Sequence, residues 1–307
     1  MPDIDLPVLH IDRPILDADL AYVKDSARLV GSTDTELVGV AASVIGIGHQ
    51  WDAERFARFP ELRVISRMGI GYDNVDLAAA KAAGVVVCNG PNSPTVSTAE
   101  HAMMLLLAVA KKLPTLMVSA AAGLGGPKVA TSLELDGATL GLVGLGRIGS
   151  RVAVAAQALG MDVVAHDPGL SSSSVDGVRL VNCDELFQIA HVVSLHAPSN
   201  PTTRHLIDAA AIKAMQPGVY IINCARGPLI DHEALLAALE AGQVAGAGLD
   251  VTEPEPLPVG HPLLSRPDVI VTPHVASSTA AGRRRLFEHA VDNALAVLTG
   301  RPASVVL

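Results

Sequence analysis

The chain's 307 residues exceed one ordinary hydrophobic core and suit two domains of roughly 150 residues each. Half the residues are hydrophobic and 17% charged, which excludes intrinsic disorder; a net charge of −9, with one short basic run at Arg283, Arg284 and Arg285, excludes the basic face of a nucleic-acid binder. The mean hydropathy of +0.39 raises a membrane span, but the most apolar run, 102–110, stops at Lys111 and Lys112, well short of the ~20 residues a spanning helix needs.

The N-terminal segment 1–5 is acidic and lacks the basic-then-apolar order of a signal peptide. Cys88, Cys183 and Cys224 have no metal-like spacing and suit reduced thiols, so a cytoplasmic protein without a metal site is expected. Short apolar runs alternate with amphipathic segments of helical length, the mark of βαβ units. The first predicted strands are 7–11, 38–47, 62–66 and 85–88, with helices over 52–59 and 77–83. A long helix is expected over 97–112, apolar on every face and therefore buried. The Gly- and Ala-rich stretch 114–137 has no clear period and suits a helix and a crossover. A second series of strands follows at 139–143, 162–166, 192–195, 219–223, 245–250 and 269–272. Prolines 254, 256, 258, 262 and 267 mark a loop that cannot be helical, and a last helix over 279–298 presents the arginine run to solvent. The fold class read from this pattern is α/β, with two doubly wound parallel-sheet domains.

The sharpest local signal is Gly144-Leu145-Gly146-Arg147-Ile148-Gly149. It follows an apolar strand, opens a helix that Gly160 ends, and is followed by a strand closing on Asp167. That context completes a dinucleotide-binding fingerprint. Gly144 permits the tight turn, Gly146 lets the backbone approach a pyrophosphate, and Gly149 lets the helix lie close to the strand. The helix N-terminus at Arg147 and Ile148 supplies N–H groups for phosphate. Asp167 suits the ribose hydroxyls, and Pro168 and Gly169 offer no cation for a 2′-phosphate, so NAD is expected rather than NADP.

Ligands of an open parallel sheet sit beyond the carboxyl ends of its strands. There the second series places Cys224-Ala225-Arg226, then Asp250 with Glu253 and Glu255, then Pro273-His274. Hydride transfer at a carbinol carbon needs a base for the hydroxyl proton and a cation for the substrate's carboxylate or carbonyl. Histidine titrates in the useful range, and a carboxylate stabilises its protonated form. Each residue alone is ambiguous; the three types together beside a dinucleotide fingerprint favour a dehydrogenase.

These segments, with Asn223-Cys224-Ala225-Arg226-Gly227-Pro228, Gly248-Leu249-Asp250-Val251, Glu255-Pro256-Leu257 and Thr272-Pro273-His274, resemble the D-isomer-specific 2-hydroxyacid dehydrogenases. Arg67-Met68-Gly69-Ile70-Gly71 and Ala99-Glu100-His101 resemble the family's substrate-domain segments, and the nearest branch is the phosphoglycerate dehydrogenases in a short form without the regulatory domain. The resemblance implies a Rossmann-type NAD domain, 113–280, inserted in a flavodoxin-like substrate domain built from 1–112 and 281–307. The two crossings would form a hinge that closes on substrate. It implies Arg226 on the substrate carboxylate and carbonyl, His274 as acid/base and Glu255 as its partner, chosen over Glu253, which would face solvent. Asp250 would hold the nicotinamide carboxamide, and Thr98, His196, Pro198, Thr203, Cys224 and Ala225 would line the cofactor. Gly69, Ile70 and Gly71 would offer N–H groups to the substrate, with Arg67 as a further cation or a structural ion-pair partner.

The implied activity is hydride transfer between NAD and a small 2-hydroxyacid or 2-ketoacid resembling phosphoglycerate, hydroxypyruvate or glyoxylate. The implied assembly is a homodimer through the NAD domain, although the stretch 116–133 lacks the family's tryptophan-containing loop. Neither nucleic acid nor membrane is an expected partner. Two other readings use the same frame: a non-catalytic NAD-sensing protein of the C-terminal-binding corepressor type, and an oxidoreductase for phosphite or formate.

Overall fold

A computed structural model describes residues 6–46, 48–125, 131–301 and 303–306. The acidic segment 1–5, the last residue of the expected strand 38–47 and residues 126–130 of the atypical stretch lie outside the described residues. The chain forms two compact units: Met1–Pro94 with Thr279–Leu307, and Thr95–Ser278.

The first unit holds five parallel strands, β1 (Val8–Ile11), β2 (Arg28–Val30), β3 (Ala42–Ile45), β4 (Val64–Arg67) and β5 (Val86–Cys88). Their order is β2-β1-β3-β4-β5, the flavodoxin-like doubly wound order. β3 and β4 are buried along their whole length, as expected of strands covered on both faces. One face packs Leu9, Val44 and Val64 against Phe287, Ala290 and Val291 of the helix Ala280–Leu298. The other packs Ile45, Ile65 and Val87 against Trp51, Phe56 and Phe59.

The second unit holds β6 (Thr139–Val143), β7 (Asp162–His166), β8 (Arg179–Leu180), β9 (Val192–Leu195), β10 (Val219–Asn223), β11 (Val244–Leu249) and β12 (Val269–Val271). All pair in parallel in the order β12-β11-β10-β9-β6-β7-β8. This is the dinucleotide-binding winding, with its switch point between β6 and β9. The fold class expected from the sequence is therefore observed.

Four differences from the sequence reading have physical causes. The strands β2 and β8 were not expected: they are three and two residues long, start on arginine, and lie at the sheet edges, so they carry no apolar run to detect. Prolines do not bar all helix in the loop after β11, because Pro262 opens a single 3₁₀ turn, Pro262–Ser265, at a position whose N–H would go unused. The long helix, Thr95–Ala110, is not buried on every face; Met104 and Leu107 are 46% and 37% exposed. It also belongs to the second unit, so the boundary falls at 94/95 rather than 112/113. Its inner face, including Ala102, Leu105, Leu106 and Val109, joins the core over β6 and β10.

Among the described residues no single helix is long and apolar enough to cross a membrane; the helix Thr95–Ala110 with the next, Leu113–Ala121, passes only as a pair bent by 56°.

The long helix lies so close to β11 that a Cβ on Gly248 would stand 2.8 Å from Leu105 Cβ and 3.2 Å from Ile222 Cδ1. Gly248→Ala is expected to cost about 1–3 kcal/mol of unfolding free energy by overpacking, read as a lower urea midpoint with an unchanged slope.

Candidate active site

The fingerprint glycines are required by contacts within the second unit. Gly144 sits at φ +96°, and a Cβ there would stand 2.8 Å from the His196 main chain. A Cβ on Gly149 would stand 2.2 Å from the Gly144 carbonyl oxygen. Gly146 differs: nothing lies within 4 Å of its Cβ direction, so the backbone there is open to a ligand. Gly146 is the N-cap of the helix Arg147–Ala158 and supplies no capping side chain, leaving the first-turn N–H groups for an anion. Asp167 follows β7 and is partly exposed; its Oδ2 accepts from Leu145 N–H at 2.9 Å and its Oδ1 from Gly169 N–H at 3.0 Å. An open glycine, uncapped helix start and acidic strand end fit a dinucleotide.

The next strands end side by side. Asn223, fully buried, holds the turn after β10 by donating to the Arg226 carbonyl at 2.8 Å and accepting from Ala225 N–H at 2.9 Å. A Cβ on Gly227 would stand 2.0 Å from the Thr252 carbonyl oxygen, so the chain after Arg226 is packed on the segment that leads to Glu255. His274 Nδ1 donates to Glu255 Oε1 at 2.6 Å, both side chains being about one-third exposed. Burial opposes ionisation of Glu255, but the hydrogen bond and charge of His274, a backbone bond from Thr252 and the Arg226 charge prevail and hold its carboxyl below the usual range. His274 itself sits in the left-handed region, φ +52°, which a non-glycine residue holds only when its surroundings impose it.

In the first unit the loop after β4 has its polarity set by neighbours. The Gly69 carbonyl accepts from Gly90 N–H at 2.7 Å, the Ile70 carbonyl from Asn89 Nδ2 at 2.7 Å and the Gly71 carbonyl from Arg67 Nε at 2.9 Å. In a trans peptide the carbonyl and the following N–H point opposite ways, so the N–H groups of Ile70, Gly71 and Tyr72 turn away from these donors. Gly69 stands at φ +146°, a conformation open to glycine. Arg67 is 3% exposed and also donates to the Ile45 and Gly46 carbonyls, so its guanidinium builds the loop.

The remaining expected site residues are placed as follows. Thr98 is buried in the long helix, and Cys224 is buried with its thiol pushed up by desolvation and the Asp250 charge. Thr203 Oγ1 donates to the Pro198 carbonyl at 2.7 Å, closing the turn that carries both. Glu253 does not simply face solvent: Arg204 Nη1 donates to it at 2.9 Å and His205 Nε2 lies 3.4 Å away. A loop glutamate's long-range partners have no sequence period, which is why the pairing was not legible. Asn223 and His101 were also missed as site residues; the first is recognisable afterwards as the acceptor of an Asx turn.

The sequence from 103 to 276 matches the profile of the D-isomer specific 2-hydroxyacid dehydrogenase, NAD binding domain. The chain belongs to the D-isomer specific 2-hydroxyacid dehydrogenase family. The D-3-phosphoglycerate dehydrogenase of Archaeoglobus fulgidus is 43% identical over 230 residues, covering 74% of this chain and 44% of the relative. The chain spans about half the length of the curated relatives it matches. Among solved structures, the TT0316 protein from Thermus thermophilus matches with a TM-score of 0.89 and 38% identity, covering 98% of this chain and 100% of the other. A D-lactate dehydrogenase from Aquifex aeolicus, complexed with NAD and lactic acid, matches with a TM-score of 0.85 and 29% identity over 95% of this chain and 96% of its own. The fingerprint, Asp167, Arg226, Glu255 and His274 of this family member all lie within the matched NAD-binding domain.

His196, against Gly144, shares a 2.9 Å hydrogen bond between its Nε2 and the Ser194 hydroxyl, and burial pushes its imidazole down to about 4 from 6.5. The unfolded chain takes up a proton near 6.5 while the folded chain resists it, so this contribution to stability is lost as pH falls from 6.5 toward about 4. Between about pH 7.5 and about pH 5.5, the cofactor-free protein should lose about 1 kcal/mol more unfolding free energy than His196→Asn, measured by urea denaturation.

Proposed function

We propose that this protein is an NAD-dependent D-2-hydroxyacid dehydrogenase acting between C2 of a small 2-ketoacid and the corresponding hydroxyacid. The observation that carries the reading is the 2.6 Å pair of His274 Nδ1 and Glu255 Oε1 on the same sheet edge as a complete dinucleotide fingerprint. Gly144, Gly146, Gly149 and Asp167 would hold NAD, which would supply or accept the hydride. Because Glu255 accepts the Nδ1 proton, the exchangeable proton of His274 belongs to Nε2. In reduction His274 gives that proton to the carbonyl oxygen; in oxidation it takes it from the hydroxyl. Glu255, held ionised, keeps the Nδ1 proton of His274 in place and so fixes the tautomer and direction of the imidazole. Arg226 binds the substrate carboxylate and polarises the carbonyl. In the first unit, taken by itself, the N–H groups of Ile70, Gly71 and Tyr72 suit a carboxylate. The phosphoglycerate dehydrogenase names of the curated relatives support a hydroxyacid of phosphoglycerate, hydroxypyruvate or glyoxylate size.

The same reading includes a homodimer formed through the second unit. The helices Thr95–Ala110 and Leu113–Ala121 expose Met104, Leu107, Leu113, Met117 and Val118 together, and a cavity of ≈ 690 Å³ opens beside Met104 and Leu107. Large apolar residues left exposed on two successive helices suit an interface. Three free cysteines, Cys88, Cys183 and Cys224, suit the cytoplasm.

With NADH, the protein is expected to reduce at least one of glyoxylate, hydroxypyruvate, phosphohydroxypyruvate and pyruvate, followed at 340 nm; no turnover on any of them rejects the reading. His274→Ala is expected to lower kcat by about 10²–10⁴-fold on the acid that is turned over. Because Asp167 opposes a 2′-phosphate, kcat/KM should be higher for NADH than NADPH by about tenfold or more, and a preference for NADPH would remove its assigned role. Met117→Glu, on the exposed apolar face, should shift the sedimenting species from twice the chain mass to one.

A further inference from the structure

His101 belongs to the Ala99-Glu100-His101 segment, which the proposed chemistry leaves without a part. Its side chain is 14% exposed, and its Nε2 lies 2.9 Å from Thr272 Oγ1 and 3.4 Å from Asp250 Oδ1. Thr272 directs its own hydroxyl hydrogen to Asp250 Oδ1 at 2.6 Å. A carboxylate only accepts, so the Thr272 oxygen is left to accept from His101, and His101 Nε2 carries the proton.

Asp250 is 1% exposed and is engaged on both carboxylate oxygens by the turn that holds His274. Its Oδ1 accepts from Val275 N–H and its Oδ2 from Ala276 N–H, each at 2.9 Å. Its main-chain carbonyl accepts from His274 N–H, also at 2.9 Å. A carboxylate buried to this degree needs donors for its charge; these N–H groups and the Thr272 hydroxyl supply them, and His101, bonded to the Thr272 oxygen, holds that hydroxyl in place. The same bonds impose the left-handed backbone on His274.

We infer that His101 is a positioning residue: through Thr272 and Asp250 it fixes the turn that aims the His274 imidazole. Asp250 then acts first as the clamp of this turn. The inference rests on the acid/base reading of His274, and it is specific to the donor at His101 Nε2. Glutamine can present an N–H at that point; alanine cannot.

The test compares His101→Ala, His101→Gln and Thr272→Val with the wild type and His274→Ala. With the acid that the wild type reduces best, His101→Ala and Thr272→Val should lower kcat about tenfold or more, since small misplacements of a reacting group are costly. The Kd for NADH, read by fluorescence, should stay within about threefold, and His101→Gln should recover kcat to within about threefold of wild type. Amide hydrogen exchange of the cofactor-free proteins is the second readout. Val275 and Ala276 should exchange about tenfold faster or more in His101→Ala, with β10 and β11 unchanged, and at the wild-type rate in His101→Gln.

An unchanged kcat in His101→Ala overturns the inference, as does an equal loss in His101→Ala and His101→Gln or a loss confined to NADH affinity. Should His101→Ala not fold, Thr272→Val carries the same expectations. If the wild type reduces none of the acids, or His274→Ala keeps its kcat, the functional reading fails, and unchanged exchange at Val275 and Ala276 would separately dismiss the clamp.

Discussion

Parallel register is the constraint on which the candidate site depends. Asn223 on β10 is paired with Leu249 on β11, and Leu249 with Val271 on β12. The three strands therefore finish level, and the residues that follow them arrive as neighbours. The pairing continues past the strand ends: Asp250 N–H donates to the Asn223 carbonyl and Thr272 N–H to the Leu249 carbonyl, both at 2.9 Å. A slip of one residue would turn every side chain of the slipped strand to the opposite face and separate these groups. The apolar packing on both faces of the sheet holds that register, so the alignment of Arg226, Asp250 and His274 is a by-product of ordinary core formation.

Charge is arranged locally within each unit. The chain is acidic overall, yet it holds local groups suited to anions: in the second unit the uncapped helix start at Gly146 and the Arg226 guanidinium, and in the first, by itself, the N–H groups near Gly71. The acidic residues nearby are committed elsewhere. Asp250 is enclosed by donors, Glu255 is paired with His274, and Glu253 is paired with Arg204. Net charge therefore says little about what an anion meets there, because the groups that face it, and not the sum over the chain, set the local potential.

What the sequence revealed and what it concealed divide along physical lines. The strands β6, β7, β9 and β10 were legible to the residue, since each is a Val/Ile/Leu-rich run bounded by turn residues. Fingerprint glycines were legible because each answers a contact the motif always makes. The two-residue strand β8 was not, nor the exposure of Met104, because an apolar helix reads alike whether its outer face is covered or left open. Long-range polar partners were the least legible. Nothing in Ala99-Glu100-His101 announces Thr272, 171 residues away, and nothing in Glu253 announces Arg204. Arg67 shows the same limit from the other side: its type left open a ligand contact or a structural ion pair, and its bonds to the Ile45, Gly46 and Gly71 carbonyls have no sequence period.

The loop after β4 carries a consequence for how such a protein diversifies. Its donors come from the main chain, and their direction is fixed by Arg67, Asn89 and Gly90 on the side away from them. The side chains of Ile70 and Tyr72 take no part in that arrangement. Under the proposed reading, holding an acid group and choosing among acids are thereby assigned to different atoms of the same short segment. Replacement at 70 and 72 can reshape a pocket over generations while the carboxylate anchor passes unchanged from one substrate to the next.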